Sequence, residues 1–385
     1  MKDLLHAATQ QNIDWPEIES ALAFFAEPMS RTAQNPEFHT EGDVWTHTKM
    51  VCEGLVKQGS FLALNEQQQQ AVFLAALLHD VGKIPTTRWE DGCWTSPNHT
   101  LVGSKMARQF LWQEWGLGGT PEKQQLRETV CNLIRYHSFP PHAIDDDNGR
   151  RKLLAVAANG KNCPLLTLEL LCVLCEADAR GRICRQAQKR TDMLEQVQLC
   201  REFALENGCC TGPFPFPSEH TGYAYLSGKQ IAPEVELYDD TWTEVILMAG
   251  LPGTGKDTWV QDHYSHLPMI SLDEIRQEMK ISPAESQNKV AEAAKERAKE
   301  FLRKKQPFVF NATNLSPLVR LKQLRLFDQY HASTKIVYLE TEWTEQLRRN
   351  NNRPDAVPEE AICRMMRELV PPEVKEAHRV NWHCV

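Results

Sequence analysis

The stretch "GLPGTGK", from Gly250 to Lys256, limits what this chain can fold into more than any other. It follows the apolar run "EVILMA" and opens the helix-like segment "KDTWVQDHY", which is the strand and helix context that the pattern G-x-x-x-x-G-K requires. The glycines let backbone N–H groups turn toward a phosphate, and the helix N-terminus adds its partial positive charge. The pattern predicts a site for ATP or another nucleoside triphosphate with Mg²⁺, built from Gly250, Gly253, Thr254, Gly255 and Lys256.

One position departs from this pattern. Asp257 stands where a serine or threonine normally offers a hydroxyl to magnesium, and Thr258 follows it. Some small-molecule and nucleotide kinases relax the same position, so we expect nucleotide binding to survive the change. The sequence does not determine which residue would bind the magnesium ion.

The periodicity of the chain divides it into two domains and a connector. Short β-rich runs such as "PFVFN" and "KIVYLE" alternate with amphipathic helices over residues 244–385, which predicts an α/β P-loop kinase domain with a parallel, adenylate-kinase-like sheet. Residues 1–205 show helical periodicity and predict an all-α domain. Residues 206–243 are rich in proline and glycine and predict a turn-rich connector.

Composition indicates the compartment in which this chain functions and the state of its cysteines. The longest apolar run, "AVFLAALL", is far too short to span a bilayer, and the N-terminus is broken by acids and amides before a signal peptide could form. We therefore expect a cytoplasmic protein whose 12 cysteines are free thiols, with Cys172 and Cys175 of "LLCVLCEAD" packed in a core. A net charge of -8 disfavours extensive non-specific binding to duplex nucleic acid, but it is compatible with a short basic groove.

Charged residues downstream of the loop are placed for phosphoryl transfer. Asp273 in "LDEIR" ends the second predicted strand, where a carboxylate can take a proton from an incoming hydroxyl, and Arg276 can hold an anion on the acceptor. Asp273 is also compatible with a helix N-cap. Arg349 and Arg353 are spaced one helical turn apart, which predicts that they share one helical face, as in a lid that brings guanidinium groups to a phosphoryl group. A solvated basic helix is the alternative.

These segments resemble the phage-type 5'-polynucleotide kinase family over most of residues 245–370, through "GLPGTGKDTW", "LDEIR", "NATNL" and "WTEQLRRNNNR". The resemblance implies that Asp273 is the general base on a 5'-hydroxyl and that Arg276 holds the acceptor's 3'-phosphate. It also implies that the two lid arginines bind ATP. Ala312 departs from the family, which has an aspartate there that helps to hold the magnesium water. We hypothesise that Asp257 replaces this missing carboxylate.

The other informative stretch is "ALLHDVGK", in which His79 and Asp80 stand side by side. An imidazole nitrogen and a carboxylate oxygen are the ligand pair that Mn, Fe, Co, Ni or Zn ions accept. With His47 in "VWTHT" and Asp178 in "CEADARGR", the order His, His-Asp, Asp resembles the HD phosphohydrolase superfamily. The sequence around these residues is also similar to that of the HD domains of bacterial tRNA nucleotidyltransferases.

This second resemblance implies a metal site of one or two ions that hydrolyses a phosphoester. Asp80 would bind or bridge the ions, and Lys83 would face the phosphate. His99 and His137 fall where dinuclear members keep ligands for a second metal, although each is also compatible with an ordinary solvent-facing histidine. His39 is as compatible with a structural role as with a catalytic one.

The order of the two domains resembles the bacterial fusions of an HD phosphohydrolase with a polynucleotide kinase. That resemblance implies the healing of RNA or DNA ends, in which one domain removes a 2',3'-cyclic, 2'- or 3'-phosphate and the other phosphorylates a 5'-hydroxyl. A separate ligase is implied, because no "KxDG"-type motif is present. An HD nucleotidase fused to a nucleoside or antibiotic kinase is the main alternative, and a binding module that has lost activity is the third.

Overall fold

A computed structural model describes residues 13–282 and 285–385 of the 385-residue chain. The described chain divides into two compact units: a helical unit of residues 13–117 and 122–214, and a sheet unit of residues 118–121 and 215–385. The predicted connector is not wholly irregular, because it contains the helix Glu219–Leu226, and its residues from 215 onward belong to the sheet unit.

The helical unit has eleven α-helices within its described residues. They are α1 Trp15–Ala21, α2 Ala23–Met29, α3 Val44–Leu55, α4 Gly59–Leu62, α5 Glu66–Leu78, α6 Lys83–Thr86, α7 His99–Gln113, α8 Pro121–Tyr136, α9 Gly149–Ala158, α10 Leu168–Gly181 and α11 Ala187–Glu206. Short 3₁₀ turns cover Pro140–His142 and Asn159–Lys161.

The helices α3, α5 and α10 pack against one another at the centre of this unit. Each begins at a side chain that accepts a backbone N–H: Asp43 before α3, Asn65 in a capping box before α5, and Thr167 before α10. Residues 71–78 of α5 are all buried, so this helix is apolar on every side, as expected for the core of a helical bundle.

A small β-hairpin interrupts the helices, which the all-α prediction did not include. Strands β1, Arg88–Glu90, and β2, Cys93–Thr95, pair antiparallel. The two residues between them are Asp91 and Gly92, both with positive φ (51° and 81°), which is the backbone of a type I′ turn. The sequence "EDGC" contained this turn signal.

The sheet unit is built on five parallel strands in the order β4-β5-β3-β6-β7. They are β3 Thr243–Ala249, β4 Met269–Ser271, β5 Phe308–Asn311, β6 Ala332–Glu340 and β7 Arg379–Cys384. The central strand β3 pairs with β5 and β6, and its end, Met248, lies opposite Asn311 and Val337. The carboxyl ends of β3, β4 and β5 therefore share one edge of the sheet.

Seven helices surround this sheet in the described chain: α12 Glu219–Leu226, α13 Lys256–Tyr264, α14 Leu272–Glu278, α15 Asn288–Arg303, α16 Pro317–Gln329, α17 Trp343–Asn351 and α18 Glu359–Glu368. A 3₁₀ turn, Val374–Glu376, leads into β7. The predicted alternation of strands and helices is confirmed, and so is the fold class of both halves. The segment "VNWHC" forms the edge strand β7, which periodicity did not reveal because the strand is only partly buried.

None of the helices in the described ranges combines the length and the apolar character that a membrane span needs. The prediction that the N-terminus is not a signal peptide rests in part on residues 1–12, which lie outside the described residues. All twelve cysteines fall in described residues and are free thiols, and both Cys172 and Cys175 are buried on α10.

Candidate active sites

The central helices of the helical unit bring four predicted ligands together. His47 lies on α3, His79 and Asp80 directly follow α5, and Asp178 lies on α10. His47 Nε2 is 3.0 Å from Asp178 Oδ1, and His79 Nε2 is 3.2 Å from Asp80 Oδ2 and 4.0 Å from Asp178 Oδ1. All four residues are at most 5% exposed. Residues separated by up to 131 positions thus share one buried polar pocket.

Two further histidines lie near the other oxygen of the Asp80 carboxylate. His99 Nε2 is 3.7 Å and His137 Nε2 is 3.9 Å from Asp80 Oδ1. Asp80 therefore belongs to two groups of potential ligands, one with His47 and His79 and one with His99 and His137. The structure brings together all six residues that the sequence singled out as metal ligands.

Backbone carbonyls fix how three of these imidazoles are oriented. The Nδ1 atoms of His79, His99 and His137 lie 2.7, 2.9 and 2.8 Å from the carbonyl oxygens of Ala76, Ser96 and Ile134. Because a carbonyl can only accept, each Nδ1 carries a proton, and in the neutral ring Nε2 then presents its lone pair toward Asp80. This is the tautomer that a histidine needs to bind a cation through Nε2.

Burial and charge favour the same protonation states. Burial alone would raise the pKa of the Asp80 carboxyl, but His79 and Lys83 overcome it and hold that pKa well below its usual range. Burial lowers the pKa of His99, and it lowers the pKa of His137 to about 3. Burial alone would lower the pKa of His79 as well, but the Asp80 and Asp178 carboxylates overcome it and raise that pKa. The pocket therefore offers an ionised Asp80 beside neutral imidazoles of His99 and His137, the forms that ligate a cation.

The pocket also contains buried polar atoms that the protein itself leaves without a hydrogen bond. They include His79 Nε2 and Asp80 Oδ1, both inside the ring of ligand atoms. Such atoms are costly to bury unless something binds them. The residues present therefore fit a divalent transition-metal ion, held by imidazole nitrogens and carboxylate oxygens.

The phosphate loop of the sheet unit begins at the end of β3 and runs into α13. Gly250, Gly253 and Gly255 have φ values of 144°, 82° and 81°. A Cβ on Gly253 would lie 2.8 Å from the carbonyl oxygen of Gln346, so both the space and the backbone conformation require glycine. The Thr254 hydroxyl donates back to the Leu251 carbonyl, which closes the turn at 2.9 Å.

Lys256, the first residue of α13, folds back over the loop. Its Nζ donates to the carbonyl oxygens of Gly250 and Leu251 at 3.0 and 2.9 Å. Burial lowers the pKa of this ammonium to about 8, although the negative charges of Asp257 and Asp273 work in the opposite direction. Within the described residues, the hydrogen bonds of this ammonium thus go to neutral carbonyls of the phosphate loop.

Asp273 and Arg276, which the sequence predicts on the acceptor side, lie in the helix that follows β4. The N-cap of α14 is Ser271, whose hydroxyl accepts from Glu274 N at 3.3 Å, so Asp273 is not needed as a cap. Asp273 instead forms an ion pair with Arg276, whose Nε also donates to Gln287 Oε1 at 2.8 Å. A carboxylate and a guanidinium are thus paired at the strand edge beside Lys256.

The lid arginines contact the loop, but they do not share a helical face as predicted. Helix α17 ends at Asn351, so Arg349 lies on it and Arg353 lies in the turn beyond it. Arg353 Nη2 is 3.9 Å from Asp257 Oδ2, and a Cβ on Gly255 would be 3.7 Å from Arg349 Nη1. Both guanidinium groups still reach the loop. The prediction of one common face is wrong, because the helix stops before Arg353.

Two protein-family models match this chain, one in each unit. Residues 44–179 match the HD domain, and residues 245–372 match an AAA domain. The chain carries an HD domain and a P-loop kinase-like domain. The first match spans α3 to α10 with all six pocket residues, and the second spans the phosphate loop, the acceptor-side pair and both lid arginines.

The helical unit contains three site residues that sequence reasoning missed. Glu41 Oε1 forms a hydrogen bond of 2.8 Å with His39 Nδ1 and lies 3.0 Å from His47 Nδ1, so one buried carboxylate lies against both rings. Arg182 Nη2 pairs with Asp178 Oδ2 at 2.6 Å. Its place four residues after Asp178, on the same helix end, could have been recognised.

The ammonium group of Lys83 in the HD domain has two polar partners. Its Nζ is 2.7 Å from Asp80 Oδ2 and donates to Gln34 Oε1 at 2.8 Å. Gln34 is the third residue that the sequence did not reveal, because a single glutamine 49 positions away gives no local signal. Lys83 is only 8% exposed, and its charge faces the pocket.

The P-loop domain adds two unpredicted residues around its loop. Gln346 is fully buried on α17, and its amide donates to the Pro252 carbonyl at 3.1 Å, which fixes α17 against the loop. Asn311 Nδ2 donates to Asp257 Oδ1 at 2.6 Å. Asp257 is therefore in contact with the residue next to Ala312, while Thr258 is exposed on α13.

Gly82 of the HD domain leaves no room for a side chain. A Cβ there would lie 2.0 Å from the carbonyl oxygen of His99 and 2.5 Å from Gly103 N. Gly82→Ala is therefore expected to force the His79–Asp80 turn away from His99, and to lower the free energy of unfolding of the domain by more than about 2 kcal/mol. Chemical denaturation followed by circular dichroism measures this change.

The control for this prediction is Gly54→Ala in α3. No atom lies within 4 Å of a Cβ at Gly54, so alanine should leave stability unchanged or raise it by up to about 1 kcal/mol. Equal stability of the two variants would contradict the claim that the turn and α7 meet through Gly82.

The lowered pKa of Lys256 predicts how ATP affinity depends on pH. The ammonium that binds phosphate loses its proton above a pKa of about 8. The dissociation constant of ATP should therefore be constant well below this pKa and rise by up to about tenfold per pH unit above it. Calorimetric titration across this window measures the change. Lys256→Arg, which keeps its charge, should bind without this dependence.

The same group has the opposite effect on folding. An unfolded lysine holds its proton up to pH values well above 8, so between the two pKa values the unfolded state binds more protons. Lys256 therefore makes the folded state more stable as the pH rises through this window, while ATP binding weakens. ATP affinity that stays constant through the window would contradict the assigned pKa.

Proposed function

We propose that this protein heals the ends of broken nucleic acid, most of all RNA. The HD domain would hydrolyse a 2',3'-cyclic, 2'- or 3'-phosphate, and the P-loop domain would phosphorylate a 5'-hydroxyl from ATP. The observation that carries the proposal is the ion pair of Asp273 and Arg276 beside Lys256, since it offers a base and an anion-binding group on the acceptor side of the loop. A nucleic-acid 5' end needs both, because its hydroxyl is followed by a 3'-phosphate.

In the P-loop domain, the charged groups would have complementary roles. The Lys256 ammonium would leave the loop carbonyls and bind the transferred phosphate, and Arg349 and Arg353 would neutralise charge that spreads over its oxygens. Asp273 would accept the proton of the 5'-hydroxyl. Arg276 would hold the adjacent phosphate and so place that hydroxyl in line. Mg²⁺, when bound, would neutralise charge on the transferred phosphate.

In the HD domain, we propose two ions that share Asp80. One would be held with His47, His79 and Asp178, and the other with His99 and His137, since Asp80 belongs to both ligand groups. Such ions acidify a bound water and neutralise phosphoryl charge. Lys83 would then exchange Asp80 or Gln34 for a phosphate oxygen of the substrate, and Glu41 would keep His47 in place.

A comparison of acceptors tests the kinase part of this proposal. The protein with ATP and Mg²⁺ is offered an RNA oligonucleotide with a 5'-hydroxyl, a nucleoside and an aminoglycoside, and the mass of each is followed. Phosphorylation of the oligonucleotide alone, or with clear preference, supports end healing. Phosphorylation of the nucleoside or the aminoglycoside, with the oligonucleotide left unchanged, would favour the alternative that an HD nucleotidase is fused to a small-molecule kinase.

The position of Asp257 predicts a role in magnesium binding. Its carboxylate contacts Asn311, the neighbour of Ala312, at the carboxyl end of β5. If it replaces the carboxylate missing at Ala312, Asp257→Ser should raise the Mg²⁺ concentration for half-maximal phosphorylation by about tenfold or more. A titration of Mg²⁺ at saturating ATP measures this. An unchanged magnesium dependence and rate would show that Asp257 has no such role, and Asp262→Ser, farther along α13, is the control.

A further inference from the structure

The hairpin β1–β2 of the HD domain exposes a large aromatic side chain. Trp89 is 60% exposed, although an indole ring left in water forgoes a substantial burial free energy. The ring is nevertheless held in place. Trp94 lies directly opposite on β2, with the two ring centroids 5.2 Å apart and the planes at 76°. The pair forms one face of the hairpin, and one side of Trp89 remains open.

The hairpin is a rigid support for this ring. Its two-residue turn has both central residues in the left-handed region, which matches the natural twist of paired strands. At its base, Thr87 Oγ1 and Ser96 Oγ are 2.8 Å apart. Both strands are therefore tied together at each end, and Trp89 cannot turn inward without breaking the ladder.

The base of the hairpin is attached to the metal pocket on both sides. On one side, Thr87 N donates to the carbonyl of Lys83 at 2.9 Å. On the other, the carbonyl of Ser96 accepts from His99 Nδ1 at 2.9 Å and so orients that imidazole. Trp89 is two residues from Thr87, or about 7 Å at the rise of an extended strand. Thr87 is in turn bonded to Lys83, whose ammonium lies 2.7 Å from Asp80, so a short segment of chain connects Trp89 to the pocket.

We propose that Trp89 stacks on a nucleobase of the strand whose terminal phosphate lies at the HD site. This inference rests on the proposed end-healing function and names the part of the substrate that the hairpin binds. An enzyme that repairs breaks must accept any terminal base. Stacking on an indole serves that need, because every base has a flat π-face and no base-specific hydrogen bond is required.

The test compares two RNA ends with the same 2',3'-cyclic phosphate, one with its terminal bases and one with those positions abasic. For the wild type, KM should be lower for the end with bases. Trp89→Ala should raise KM for that end by about tenfold and leave the abasic end unchanged, with kcat preserved on both. Trp89→Phe should recover most of the affinity. Phe24→Ala, which removes a 76%-exposed ring from α2, is the matched control.

The outcomes separate this inference from the proposed function. If the wild type hydrolyses neither RNA end, the end-healing function is wrong. If it hydrolyses both and Trp89→Ala changes KM equally for the two ends or for neither, the stacking role is wrong and the function stands. A variant with unchanged KM but an altered oligomeric state would show that Trp89 instead binds protein, and would also overturn the inference.

Discussion

Asp80→Asn is expected to abolish hydrolysis by the HD domain while 5' phosphorylation continues. Asparagine keeps the size of the side chain but removes the charge that faces Lys83, His79, His99 and His137. Loss of a group that supports a metal ligand typically costs 10- to 100-fold, so loss of the shared ligand itself should cost more than about 100-fold. Hydrolysis of a 2',3'-cyclic phosphate RNA measures the rate, and elemental analysis of the purified protein measures the bound metal.

Two controls make this result specific. Asp147→Asn removes an exposed carboxylate from the same unit and should change neither rate nor metal content. The kinase rate of Asp80→Asn reports whether the rest of the chain is intact. Full metal content and full hydrolysis in Asp80→Asn would refute the assignment of this pocket as the hydrolytic site.

Lys256→Ala is expected to have the complementary effect. The ammonium is the only group of the loop with a full positive charge, and it lies where the carbonyls of Gly250 and Leu251 surround it. Removing a positioned group that stabilises transition-state charge costs about 100- to 1000-fold in rate. ATP-dependent phosphorylation of a 5'-hydroxyl RNA should fall by this factor, while hydrolysis at the HD site remains at the wild-type rate.

The matched control for this variant is Lys295→Ala. Lys295 is exposed on α15 and pairs with Glu292 at 3.5 Å, so its loss should leave both activities unchanged. Phosphorylation by Lys256→Ala at the wild-type rate would mean that the loop does not hold the transferred phosphate.

Much of this architecture could be predicted from the sequence because the signals were local. The phosphate loop, the strand before it and the helix after it occupy one continuous stretch, and each β-rich run of residues 244–340 became a strand. The pocket of the HD domain was also accessible, since resemblance supplied the set of residues and the fold brought all six together. These are cases in which residue type and spacing carry the information.

What the sequence did not reveal depends on contacts between distant segments. Gln34, Glu41 and Gln346 are ordinary polar residues whose roles arise only because folding buries them against Lys83, His47 and the phosphate loop. The close approach of Gly82 to His99 is equally invisible, since the glycine has an ordinary φ of −67°. The end of α17 before Arg353 was missed because helix boundaries depend on capping and on the following turn.

One experiment tests most directly whether a single chain treats both ends of a break. A synthetic RNA with a 5'-hydroxyl and a 2',3'-cyclic phosphate is incubated with ATP and Mg²⁺ or Mn²⁺, and the mass at both ends is followed for the wild type, Asp80→Asn and Lys256→Ala. We expect the wild type to change both ends and each variant to lose one reaction and keep the other. An RNA that emerges unchanged at both ends, while ATP or a mononucleotide is consumed, would contradict the proposal.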